Sequence, residues 1–195
     1  TSSEYQLYRG ATPVGTPVTG TGAALSFGLQ AVAGTYTAVA THLTGGCTRN
    51  MNGSAVVVVN TAPSISVQPA SQTKCVGSSV TFSVTAAGTS PSYQWRKNGT
   101  NIGGANASTY TIASVVAGDA GNFDVVISVS SCASLTSSVA VLTVVSQPTQ
   151  YAVTGGGATC STGPGATVGL SNSQATAAYQ LFRGATPVGT PVTGT

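Results

Sequence analysis

Apolar and polar residues alternate with a period of two along much of this chain. Val80, Phe82 and Val84 are separated by Thr81 and Ser83, the spacing of a half-buried strand. Tyr93 and Trp95 fall on one face of a second predicted strand, and Tyr110 and Ile112 on a third. Val125 and Ile127 follow the turn-like stretch DAGNFDV, and a last strand is predicted around Val139–Val144. Between the second and third strands, Asn98-Gly99 marks a hairpin, because both central positions of a type I′ turn need positive φ. The longest apolar run, Ala55–Val59, is too short to span a bilayer and reads as a further strand.

A longer period overlies the short one. YQLYRGATPVGTPVTGT, Tyr5–Thr21, returns as YQLFRGATPVGTPVTGT, Tyr179–Thr195, changed only at Tyr8 against Phe182. The repeat period is the step from Tyr5 to Tyr179. Two copies of one strand pair would compete for a single place in one small sheet, so the simpler expectation is a tandem array cut at arbitrary points. On that expectation residues 1–61 are the C-terminal part of one module, residues 62–146 a complete module, and residues 147–195 the N-terminal part of the next copy of the first type. The alternative is a single protein with a duplicated tail. The expected joints, about Asn60–Pro63 and Ser146–Thr149, each carry a proline that stiffens the link.

Strand spacing, a central Trp95 and a D-x-G-x-aromatic turn together resemble an immunoglobulin-like β-sandwich. The expected class is therefore all-β, with tandem immunoglobulin-like β-sandwich modules in a rod or filament. Phe82 and Val125 stand where antibody domains carry their bridging cysteines, so packing of Phe82, Trp95, Phe123 and Val125 is expected in place of the bridge. The first module type aligns with the middle one. Leu7, and equally Leu181, falls at the place of Trp95; PVG (Pro13–Gly15) matches NIG (Asn101–Gly103); Tyr36 falls at the place of Phe123 and restores the hydroxyl of a tyrosine corner. Leu7, Tyr36 and Leu181 join the expected core.

The four cysteines follow from that alignment. Cys75 precedes the second strand of the sandwich and Cys132 follows the sixth; Cys160 and Cys47 hold the matching places in the other module type. If sandwich geometry brings the two ends to one tip, Cys75 pairs with Cys132, the alternative being two buried free thiols. Cys47 and Cys160 lie in halves of different modules, so each is expected to pair within the adjacent repeat. None shows a metal-ligand spacing, and wide spacing in a β-rich chain favours an oxidising compartment.

Composition narrows the functional classes. Charged residues are 5% of the chain against the ~25% usual in globular domains. A net charge of +3 spread over six scattered cations is no nucleic-acid footprint, which needs clustered basic residues. Apolar content of 41% argues against disorder. Chemistry is sparse. His42 has no acidic or thiol partner near it in sequence. Asp119 is expected to cap amides of its own turn, Asp124 to point outward, and Arg96-Lys97 to form a solvated tip. The three carboxylates form no acid/base pair or calcium cluster. GGGATCSTGPG (Gly155–Gly165) lacks the GK[ST] of a phosphate loop. Asn52, Asn98 and Asn106 sit in glycan-acceptor sequons. No catalytic residue, metal or cofactor is expected.

The stretches QPASQTKCVGSSVTFSVTA, YQWRKNGTNI and DAGNFDVVI, set in tandem modules, are similar to the immunoglobulin-like repeats of giant bacterial cell-surface adhesins of the gliding, type IX-secreted kind. That resemblance implies a secreted, cell-surface structural protein: a spacer or adhesive stalk of a long extracellular filament, with neighbouring repeats as partners and no enzyme activity. The alternative is a carbohydrate-binding or accessory module of a secreted multidomain protein, with surface glycans as partners.

Overall fold

The computed structural model describes residues 2–195, and all its regular structure apart from one short turn of helix is β. In the first segment five strands form one sheet: β1 (Ser3–Arg9), β2 (Thr12–Thr19), β3 (Gly34–His42), β4 (Thr48–Asn50) and β5 (Ala55–Val57). The order is β2-β1-β3-β4, with β5 also on β3, all antiparallel. Leu7 and Tyr36 are its buried residues.

The middle segment is a two-layered sandwich. Its strands are β6 (Ser64–Val67), β7 (Gln72–Cys75), β8 (Val80–Ser83), β9 (Thr85–Ala87), β10 (Ser92–Lys97), β11 (Thr100–Asn101), β12 (Thr109–Ile112), β13 (Gly121–Ser128), β14 (Leu135–Thr136) and β15 (Ala140–Val145). One layer has the order β11-β10-β13-β15-β7, with β14 beside β13; β7 joins β15 in parallel. The other layer consists of the pairs β12-β8 and β6-β9. Alternation places Val80, Phe82 and Val84 inward from one layer and Trp95, Phe123, Val125 and Ile127 inward from the other. Phe82 and Phe123 stack at 4.7 Å between centroids, with Trp95 tilted against Phe82 at 6.2 Å. Offset aromatic contacts of this kind add to the burial energy. The Trp95 indole N–H, which would be costly to bury unpaired, donates to the Ala107 carbonyl at 2.9 Å.

The third segment carries two hairpins. β16 (Val153–Gly155) pairs with β17 (Val168–Leu170), and β18 (Ala178–Arg183) with β19 (Thr186–Thr193). Its strand residues are almost all exposed. Leu181, expected in a core, is 46% exposed. The reason is the missing neighbour. β1 is flanked by both β2 and β3, whereas β18 pairs with β19 alone.

Candidate functional site: the two ends of the middle sandwich

Strand direction defines two ends. Ser64 at the start of β6 lies opposite Ala87 at the end of β9, and Ser92 lies opposite Ser128. The chain therefore comes in at the end where β13 finishes, here the leading end. Gly121 pairs with Leu142, and Val145 with Cys75. The chain leaves at the opposite, trailing end.

The cysteines divide between these ends. Cys132, just past the end of β13, lies at the leading end, where its Sγ is 3.7 Å from the carbonyl oxygen of Asn60 in the incoming joint. The Asn60 side chain also donates to the Ser130 carbonyl at 2.8 Å. Cys75 lies at the trailing end. It is exposed beside an open cleft of about 560 Å³ that also involves Val145, Ser146, Pro148 and Gln174. Ladder registers put about ten residue steps, or about 30 Å, between the two thiols. A disulfide needs Cα atoms closer than ~7 Å. The expected Cys75–Cys132 bridge is therefore corrected: both thiols are free. β8 and β13 run the same way, so a cysteine before the one and a cysteine after the other sit at opposite ends.

Cys47 and Cys160 are also free and exposed, and Cys160 repeats the local turn of Cys75. The amide of Ser78 donates to the Cys75 carbonyl at 3.1 Å, and that of Gly163 to the Cys160 carbonyl at 2.9 Å. Both cysteines thus open a tight turn before a strand. Cys160 lies past the Gly155–Val168 end of the β16-β17 ladder, the end away from the joint at Thr149. Cys47 lies past His42, where β3 meets the start of β1, while β5 pairs with the other end of β3 and continues to the joint. In a module joined from these two halves, Cys47 and Cys160 would fall at opposite ends, as Cys132 and Cys75 do in the middle sandwich.

Equivalence of the units extends to a residue the sequence reading passed over. The Gln6 side chain donates to the carbonyls of Leu7 and Val14 at 2.8 and 2.9 Å. Gln94 does the same to Trp95 and Ile102 at 2.9 and 2.8 Å, and Gln180 to Leu181 and Val188, both at 3.0 Å. In the first and third segments the amide fills a gap in the ladder, where the register shifts between Tyr5 and Leu7 and again between Tyr179 and Leu181. The signal was present as the shared Gln in YQL, YQW and YQL.

The Tyr36 hydroxyl donates to the Val32 carbonyl at 2.7 Å, the tyrosine corner expected of it. In the middle unit Phe123 has no hydroxyl. Lys97 instead lies over its ring, 5.9 Å from the centroid, and donates to the carbonyl of Gly118 in the corresponding turn. Asp119 accepts from the Val116 amide at 2.8 Å, the local cap expected of it. Arg96 is not a solvated tip. Its guanidinium forms a two-pronged pair with Asp124 at 2.7 and 2.8 Å, and that hydrogen bond raises its pKa. The His42 Nδ1 accepts from the Thr44 amide at 3.3 Å. Among the described residues no group of three His, Cys, Asp or Glu side chains could hold a metal, and no helix is long and apolar enough to cross a membrane.

Residues 62–128 match the family model described as Immunoglobulin domain. No curated protein matches the sequence. Among solved structures, the titin I-band fragment I67–I69 is 14% identical, with 75% of this chain covering 56% of that one at a TM-score of 0.57. A three-domain variant of the same titin region gives the same values. Domains 3–5 of the extracellular part of Drosophila OTK are 23% identical at a TM-score of 0.46. This chain covers 57% of its own length there and spans 40% of the OTK fragment. The fold is all-β, and its middle unit is an immunoglobulin-like sandwich of the kind found in tandem in titin.

Proposed function

We propose that this chain is a stretch of a tandem array in which two immunoglobulin-like module types alternate, the pattern starting again at each step such as that from Tyr5 to Tyr179, and that the array serves as the spacer or stalk of a long extracellular filament or surface adhesin. The carrying observation is polarity. The chain comes in at one end of the middle sandwich and leaves at the other, the arrangement that lets modules string together without doubling back. The repeated hairpin supports the same reading. Its two copies adopt the same register, the same shift and the same Gln bonds. On this reading residues 1–61, 62–146 and 147–195 are parts of successive modules, and residues 147–195 complete their core with strands equivalent to β3, β4 and β5 of the next repeat.

The role is mechanical. Interstrand hydrogen bonds resist extension, and the low charge leaves the surface little affected by salt. The test is to express the protein with one, two and three repeats and measure maximum dimension by solution scattering. Each added repeat should lengthen the particle by about 70–90 Å, two modules of ordinary strand length with their joints. A particle that grows in girth rather than length would overturn the reading. Glycan titration on the same samples tests the binding-module alternative, with binding that rises with repeat number as its signature.

A further inference from the structure

The four cysteines obey a rule that no single module explains. Cys132 and Cys47 lie at the leading ends of the two module types, and Cys75 and Cys160 at the trailing ends. Each module thus carries one thiol at each end, too far apart to bond internally. In an array, every joint brings one trailing-end and one leading-end thiol together. At the joint entering the middle module these are Cys132 and the Cys160 of the preceding repeat. At the joint leaving it they are Cys75 and the Cys47 of the following repeat.

We propose that the cysteines form disulfides across the joints, Cys75 to Cys47 and Cys132 to Cys160, each between successive modules; this rests on the tandem-array reading. The rule accounts for all four thiols being free in this chain, because each partner belongs to a module half in the adjacent repeat. Two local facts point the same way. The Cys132 sulfur already lies against the backbone of the incoming joint at Asn60. The Cys75 side chain is exposed at the cleft beside the outgoing joint.

Chemically, each bond is made by thiol–disulfide exchange with a disulfide oxidant of the secretory or extracellular compartment. One thiolate attacks the oxidant, the second displaces it from the mixed disulfide, and the oxidant leaves as a dithiol. The two cysteines lose two protons and two electrons, which the oxidant's sulfurs accept.

Such bonds change what force can do. Cys132 and Cys160 of one repeat would be tied, respectively, to the repeats before and after. The shortest covalent path along the array then runs through the stretch from Cys132 to Cys160, or the equally long one from Cys47 to Cys75, rather than through the whole repeat. Fully drawn out, that path reaches about 100 Å per repeat, against about 600 Å for the unbridged chain. The shorter figure is close to the length of two folded modules, so a bridged array has little to release.

The experiment uses a secreted chain of three repeats, its free thiols blocked before digestion. Trypsin cuts after Lys74 and Arg49, and chymotrypsin after Phe123 and Tyr151, so the two enzymes place the four cysteines on separate peptides. Mass mapping without reductant should find Cys75 peptides joined to Cys47 peptides, and Cys132 peptides joined to Cys160 peptides. Cys75 joined to Cys132, or four blocked thiols at the internal repeats, would overturn the proposal and leave the array reading intact. Scattering that shows no rod would instead overturn the array reading. As a second readout, single-molecule pulling should draw each repeat out to about six times its bridged length after reduction. A Cys47→Ser, Cys132→Ser double variant should reach that length without reductant. Equal extension with and without reductant would also overturn the proposal.

Discussion

The hairpin at Tyr5–Thr21 and the hairpin at Tyr179–Thr195 have nearly the same sequence and lie in different surroundings. Both form the same two strands with the same register shift, and in both the Gln side chain donates to the same pair of carbonyls. Leu7 is 8% exposed and Leu181 46%. What separates them is β3, which lies along the whole of β1 and has no counterpart beside β18. Local sequence is therefore enough for the hairpin, its turn and its irregularity. The core depends on strands supplied from elsewhere in the chain, a tertiary effect that side-chain periodicity does not report.

The sharpest way to break the contrast is to supply the missing strands. Appending a second copy of Gly22–Asn60 after Thr195 should raise amide protection across Ala178–Arg183 by ~100-fold in hydrogen exchange. No change there would refute the equivalence of the two hairpins. Next in size, Trp95→Ala should cost the middle sandwich about 3–5 kcal/mol in denaturant unfolding, while Leu181→Ala in this chain should stay within about 0.5 kcal/mol. Leu7→Ala should fall between them, at about 2–3 kcal/mol for the first segment.

Smaller effects test the corner. Tyr36→Phe should destabilise the first segment by about 1 kcal/mol through loss of the bond to Val32, a change readable in local exchange near Val32. The smallest effect is a pH dependence. Burial, with a lesser contribution from Asp119, raises the pKa of Tyr110. A raised phenol pKa favours the folded state below the unfolded value, and that contribution is lost as pH rises through the folded value. Middle-unit stability should therefore decline above pH ~10, and Tyr110→Phe should flatten the decline.

Much of the sandwich was legible because its cues are local. Val80, Phe82 and Val84 announce a strand by alternation, and Asn98 and Gly99, at φ of 50° and 80°, adopt the turn their identities call for. Tyr36 was legible as a corner because the aligned stretch GTYTAVA keeps its aromatic in register with GNFDVVI. Two features escaped for physical reasons. Arg96 looked like a solvated tip because its partner, Asp124, lies on a distant strand and meets it only across the β10-β13 ladder. Cys75 and Cys132 looked like a pair because their distances from neighbouring strands say nothing of strand direction. The parallel pairing of β7 with β15 carries Cys75 to the end opposite Cys132.

Opposite attachment points on the middle sandwich also bear on heredity. A unit that touches only what precedes and follows it can be duplicated or lost whole without unsettling the survivors. Stretches as alike as the two hairpins invite misaligned recombination in the gene. In the proposed array, the dimension most open to variation would then be the number of copies, and with it the length of the whole.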